Sequence, residues 1–122
     1  MRGAASVLAA AVVIATSTAT PAFAGFGAVA YDQDTRKYGA SFDQPTRSRA
    51  FEAALKECNS SGCVVHAVEP KGCGALALSA SDPAWGGADR ETLAAAKRDA
   101  VQHCQSHTQA GTCTVRVSGC NK

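Results

Sequence analysis

The chain has 122 residues, six cysteines and a net charge of +2 at pH 7. That length supports one domain, and so small a charge excludes the basic footprint that nucleic acid or an anionic membrane surface would require. Much of the apolar content is alanine, which contributes little area on burial, so the core needs support beyond hydrophobic packing.

Residues 1–24 read as a secretory signal peptide cleaved after Ala24. Met1-Arg2 supplies the positive start, "AASVLAAAVVIA" the apolar core, and Ala22-Phe23-Ala24 the small-x-small site. The apolar core is about a dozen residues, short of the roughly 20 that a spanning helix needs. No later run approaches that length, so no membrane contact is expected after cleavage. The mature chain reads as a single domain, 25–122, made of repeat 1 (25–68) and repeat 2 (72–120).

The repeat is legible residue by residue. "GFGAVAY" at 25–31 is answered by "GCGALAL" at 72–78, and Tyr38-Gly39 by Trp85-Gly86. Asp43 and Thr46 are answered by Asp89 and Thr92, Ala54-Leu55 by Ala100-Val101, Cys58 by Cys104, and Cys63-Val64-Val65 by Cys113-Thr114-Val115. The order is kept throughout, which marks an internal duplication with a unit of roughly 45 residues.

In chain order, Gly27–Tyr31 is a short apolar strand, "DQDTR" a polar turn, and Lys37–Phe42 an alternating return strand. Asp43 or Thr46 caps a helix whose stripe is Ala50, Phe51, Ala54, Leu55 and Cys58. Asn59–Gly62 end it, Cys63–Val68 is a third strand, and "EPKG" is the inter-repeat turn. Repeat 2 has the same plan. Gly74–Ala80 and Trp85–Ala88 are strands, Leu93, Ala96, Ala100, Val101 and Cys104 a helical stripe, and Cys113–Val117 the closing strand. The expected fold is α+β: two tandem β-β-α-β repeats sharing one core about a pseudo-two-fold axis. "GCGALALSA" then reads as strand. A dinucleotide site would need a third glycine and a helix directly after the turn.

An even number of cysteines in a small exported domain reads as disulfides. Cys58 and Cys63 flank the helix-to-strand connection of repeat 1, and Cys104 and Cys113 hold the same places in repeat 2. Equivalent positions predict the pairs Cys58–Cys63 and Cys104–Cys113, leaving Cys73–Cys120.

"GAVAYD", "YGASFDQPTRSRAFEAALKEC", "CVVHAV", "GCGALAL", Trp85-Gly-Gly and the terminal "GCN" carry a resemblance to family 4189 of the domains of unknown function, small exported bacterial proteins that include mycobacterial ones. The resemblance spans Gly25–Asn121. It implies export and a disulfide-bearing domain, and it supplies no reaction and no catalytic residues. Cys104 and Cys113 are a pair that some relatives lack.

Catalytic constellations are thin. "HCQSH" places His103 and His107 at i, i+4 with Cys104 between them, a spacing that a metal or a thiol nucleophile could use. The repeat gives Cys104 a structural partner instead, and histidine near a helix C-terminus is favourable in itself, so no metal and no cofactor is expected. Ser41, Ser48, Ser79 and Ser81 sit in no nucleophile elbow. Asp43 and Asp89 read as caps, Glu52, Glu57 and Asp99 as solvated helix faces, and His66, answered by Arg116, as structural. Tyr31, Tyr38 and Trp85 are the candidate binding anchors.

These features together lead to the expectation of a secreted, disulfide-stapled, non-enzymatic binding or effector domain for an extracellular, envelope or host protein. Two alternatives stand beside it. One is an inhibitor of an extracellular hydrolase acting through the loop 105–112; the other is a metal-binding or enzymatic protein centred on His103, Cys104 and His107.

Overall fold

The computed structural model describes residues 25–122 together with Gly3; apart from that glycine, the leader read at 1–24 lies outside the described residues. Repeat 1 is built from β1 (Phe26–Tyr31), β2 (Tyr38–Gln44), α1 (Arg47–Cys58) and β3 (Val64–Val68). Repeat 2 is built from β4 (Cys73–Ser79), β5 (Trp85–Arg90), α2 (Leu93–Gln105) and β6 (Cys113–Cys120). Each repeat forms its own three-stranded antiparallel sheet with the first strand central, in the orders β2-β1-β3 and β5-β4-β6. The class is α+β, as the repeated pattern implies.

Strand alternation decides what each face meets. Ala28 and Ala30 of β1 lie against α1 with Ala50, Ala54 and Cys58, and Ala75 and Ala77 of β4 lie against α2 with Ala96, Ala100 and Cys104. The alternate residues, Val29 and Tyr31, Leu76 and Leu78, meet between the sheets together with Val68. The layers therefore run helix, sheet, sheet, helix, and neither sheet is left with a bare apolar face.

The alanine-rich helix stripes have a packing cause. A Cβ on Gly39 would stand 2.4 Å from Cys58 N and 2.5 Å from Ala54 O; on Gly86, 2.3 Å from Cys104 N and 2.5 Å from Ala100 O. Both helices ride with their backbone directly on the second strand of their repeat. Only small residues fit beneath them, so the wider expected stripe needs correcting. Phe51 and Val101 are half-buried, and Leu55 and Leu93 are pushed to the flanks, 38% and 37% exposed.

Of the two caps expected for each helix, the threonine holds and the aspartate does not. Thr46 accepts from Arg49 N at 3.1 Å and Thr92 from Ala95 N at 3.1 Å, so the threonines are the N-caps. Asp43 belongs to β2 and Asp89 to β5. Asp43 instead accepts through Oδ1 from the backbone N–H of Lys122. Asn59, left-handed at φ 54°, ends α1 and returns its N–H to Leu55 O.

The bridges are Cys58–Cys63, Cys73–Cys120 and Cys104–Cys113, the pairs that repeat equivalence predicts. Two of them tie each helix end to the strand that comes after it. The third joins the start of β4 to the end of β6, next to Asn121. Asn121 is buried and holds the repeats together: its Oδ1 accepts from Asp43 N at 3.0 Å, and its Nδ2 donates to Val68 O at 3.0 Å and Glu69 O at 2.8 Å. At the opposite end, the Arg36 guanidinium donates to the carbonyls of Asp82 and Ser79.

Candidate functional site

The two sheets close on one side and stay open on the other. With β1 over β4, β2 faces β6 and β3 faces β5. On the β2/β6 side the ring of Phe42 fills the seam so tightly that a Cβ on Gly119 would stand 2.5 Å from its Cε2. Counted in steps of two from the paired positions Tyr38 and Trp85, the residues of β5 that answer Ala40 and Phe42 are Gly87 and Asp89. A glycine and a carboxylate do not fill an apolar seam. The β3/β5 side accordingly keeps a cleft of about 380 Å³.

Its floor is apolar: Val29, Val68 and Leu76 from the inter-sheet core. Its walls are aromatic. The centroid of the Trp85 ring lies 5.3 Å from that of Tyr31, 6.3 Å from that of His66 and 6.3 Å from that of His103. The His107 ring comes next, 5.2 Å from His103. All three histidines and the one tryptophan of the chain thus converge on one edge of the sheet pair. Asp89 stands at the rim, and His103 Nδ1 is 3.3 Å from Gly87 O.

Tyr31 needs correcting as an exposed anchor: it is 3% exposed, because it stands on a central strand pointing between the sheets. Its hydroxyl is buried and has no hydrogen-bond partner among the described residues. Burial pushes the phenol pKa upward, against a smaller lowering by Arg36, so the hydroxyl stays protonated at neutral pH. Tyr38 is 37% exposed on β2, the edge of its sheet away from the cleft, so repeat equivalence does not bring it to Trp85.

His66 also needs a revised partner. β6 carries an irregularity between the residues paired with Leu76 and Ala77, which leaves Arg116 as the extra residue. His66 pairs with Val29 and Val117 with Leu76, so the equivalent of His66 is Val117, a residue of the inter-sheet core. That is why His66 faces Trp85. The bulge hides this in the linear alignment.

The alternative centre at His103, Cys104 and His107 loses its thiolate, because Cys104 is bonded to Cys113. Among the described residues every cysteine is in a bridge, and no three His, Cys, Asp or Glu side chains group to hold a metal. Of the serines, Ser79 Oγ is 2.7 Å from Thr112 Oγ1 and 3.4 Å from Ser81 Oγ, which ties the end of the 105–112 loop to the β4–β5 turn.

A second repeated device is not legible in the sequence. Asp32 accepts from Asp34 N at 2.9 Å and from the Ser60 hydroxyl; Asp82 accepts from Ala84 N at 2.9 Å and from the Thr108 hydroxyl. Each carboxylate closes a strand turn and pins the loop beyond its helix. The Ser60 hydroxyl bond, then the Asp34 N–H, lower the Asp32 pKa to about 2, and the Thr108 bond leads the lowering at Asp82. Carboxylates held below their unfolded pKa contribute stability that is full above that value and lost as pH falls through the folded one. Stability is therefore expected to fall as pH drops from about 4 toward about 2. In urea titrations, Asp32→Asn should be less stable at neutral pH and show a flatter acid limb. An acid limb identical to wild type would refute the pin.

These features define a small duplicated α+β domain, stapled by three disulfides and open along one edge. The chain belongs to the family described as Domain of unknown function (DUF4189), whose model matches residues 26–120. It is 42% identical over 76 residues to Protein Rv1269c of Mycobacterium tuberculosis (strain H37Rv) and, equally, to Protein Mb1300c of Mycobacterium bovis. Those matches take in 62% of this chain and 58% of each relative, so they span less than two thirds of the relatives' length. The NMR structure of Rv1813c from Mycobacterium tuberculosis is similar in fold, with a TM-score of 0.61 and 27% identity, covering 83% of this chain and 78% of that one.

Proposed function

We propose that the protein is exported and acts as a non-enzymatic binding domain whose site is the cleft between β3 and β5. One observation carries the reading: an apolar depression walled by the sole tryptophan together with Tyr31, His66 and His103. Concave apolar sites with a few convergent polar groups are where proteins of this size bind. Export is supported by the leader pattern and by three disulfides, which persist in oxidising compartments. Among the described residues no helix is long and apolar enough to cross a membrane. The absence of catalysis is supported by the oxidation of every cysteine and by the engagement of His66 and His103 with the Trp85 ring.

The partner lies in the extracellular space, the envelope or a host; in the last case the protein is an effector. The test is capture from envelope and host extracts with wild type and Trp85→Ala side by side. The variant is expected to keep its disulfides and cooperative unfolding and to lose the captured partner by tenfold or more, as truncation of a central aromatic anchor does. Equal capture by both proteins would defeat the proposal.

A further inference from the structure

The two strands that border the cleft are both sheet edges, and one of them is open to pairing. Asp32 N donates to Lys37 O at 2.9 Å, which makes residues 32 and 37 a hydrogen-bonded pair at the end of the β1–β2 ladder. Such pairs alternate along antiparallel strands, so Ala30 bonds β2 while Tyr31 and Val29 bond β3. Their partners Val64 and His66 therefore turn N–H and C=O toward β1. The N–H and C=O groups of Val65 and Ala67 point outward past the sheet edge, and no turn or loop among the described residues bonds them.

The other edges are guarded. A bulge interrupts β2 where Asp43 takes φ 55°, and another interrupts β6 at Arg116. Strand β5 ends in Asp89-Arg90, and His103 Nδ1 stands 3.3 Å from Gly87 O on its outer side. Strand β3, with the sequence VVHAV, has no carboxylate, lysine, arginine or proline, pairs with β1 in unbroken register, and leaves Val64 60% exposed. An unguarded apolar edge of this kind is a template for a further strand.

The surroundings say which strand. Paired residues share a face of the sheet. Residues opposite Val65 and Ala67 would make the backbone bonds, and the one between them, opposite His66, would send its side chain over the cleft toward Trp85, whose ring lies 6.3 Å from that of His66. Charge sets the flanks. Asp32 and Asp34 stand where the depression continues past Val64, and Asp89 stands at its other end. Among the described residues no lysine or arginine lines either part; Arg36, close to Tyr31, donates to the carbonyls of Asp82 and Ser79. A second copy of the chain would bring the same carboxylates to the seam, whereas a basic segment complements them.

We propose that the partner docks through an extended, basic segment that adds a strand along β3, bonding Val65 and Ala67 and setting an apolar side chain against Trp85. This rests on the cleft being the partner's site and adds the form and charge of what enters it.

The experiment is an amide and indole N–H NMR titration of the disulfide-intact protein with the peptide KTVFVTK, blocked at both termini. The peptide is expected to shift the Val65 and Ala67 amides and the Trp85 indole, and to slow hydrogen exchange at those two amides. N-methylation of both valines, which removes the donors facing β3, should weaken it about tenfold or more, while N-methylation of the phenylalanine alone should not. Glutamates in place of the lysines should weaken it about fivefold at low salt, a difference that shrinks as salt rises. Ala67→Pro should abolish binding and keep cooperative unfolding, since the N–H it removes is outside the β1 ladder.

If the peptide shifts the Trp85 indole but valine N-methylation changes nothing, strand addition is wrong while the cleft stands. Tighter binding of the glutamate peptide overturns the basic segment. Shifts at Val65 and Ala67 on concentrating the protein alone would assign the edge to a second copy instead. If no peptide moves these signals, strand addition falls, and the cleft is judged separately by the capture comparison of wild type with Trp85→Ala.

Discussion

Gly86→Ala is expected to lower the free energy of unfolding by about 3 kcal/mol or more, at the upper end of what overpacking costs. The added methyl would stand 2.3 Å from Cys104 N, 2.5 Å from Ala100 O and 2.9 Å from His103 C, all helix backbone, which has no rotamer to move aside. Helix α2 must lift from β5, opening the cluster of Ala75, Ala77, Ala96 and Ala100 along its length. The neighbouring residue supplies the control. A methyl on Gly87 meets nothing closer than 3.7 Å, at Ala75 O, so Gly87→Ala is expected to be neutral or stabilising by about 0.5 kcal/mol through the unfolded chain. Urea midpoints for the pair check this directly: two adjacent glycines, one substitution, opposite results. Equal midpoints would mean that the helix does not ride on the strand.

Removing the Cys73–Cys120 bridge by a Cys73→Ser, Cys120→Ser double substitution is expected to cost about 4 kcal/mol in the chain-entropy account. The shorter Cys58–Cys63 and Cys104–Cys113 bridges are each expected to contribute about 2 to 3 kcal/mol on the same account. The ranking reflects sequence separation: 47 residues for the first, against 5 and 9. The long bridge also holds the chain end that positions Asn121, whose side chain joins β2 to the carbonyls of Val68 and Glu69. Against a total of about 5 to 15 kcal/mol for a small domain, the double variant should be marginal at 37 °C, and far-UV circular dichroism melting should show it. A melting temperature closer to wild type than that of either short-bridge variant would contradict the account.

Duplication makes the fold legible. Matching Gly-x-Gly-Ala, Tyr/Trp-Gly and Cys positions give the order of elements, the shared core and the disulfide pairs, because equivalent residues in a repeat meet equivalent surroundings. The same logic misleads where the repeats differ. Tyr38 and Trp85 look interchangeable in sequence, but one flanks the seam that Phe42 fills and the other the seam that Gly87 and Asp89 leave open. Arg116 looks like the match of His66 because a bulge in β6 displaces the count by one. Leu55 and Leu93 look like core residues because a hydrophobic stripe does not say how close a helix sits; the glycines beneath set that distance. The cleft itself is readable only as a difference between the repeats. Asp89 standing where Phe42 stands is its one signal.

The central claim is that this open seam is where the protein meets its partner. Hydrogen–deuterium exchange of the free protein and of its complex with the captured partner tests it most directly. The account predicts slowed exchange at Val64–Val68 and Trp85–Arg90, the two strands that border the cleft, with the outer faces of α1 and α2 unchanged. Slowing confined to those helix faces, with β3 and β5 exchanging as in the free protein, would contradict it.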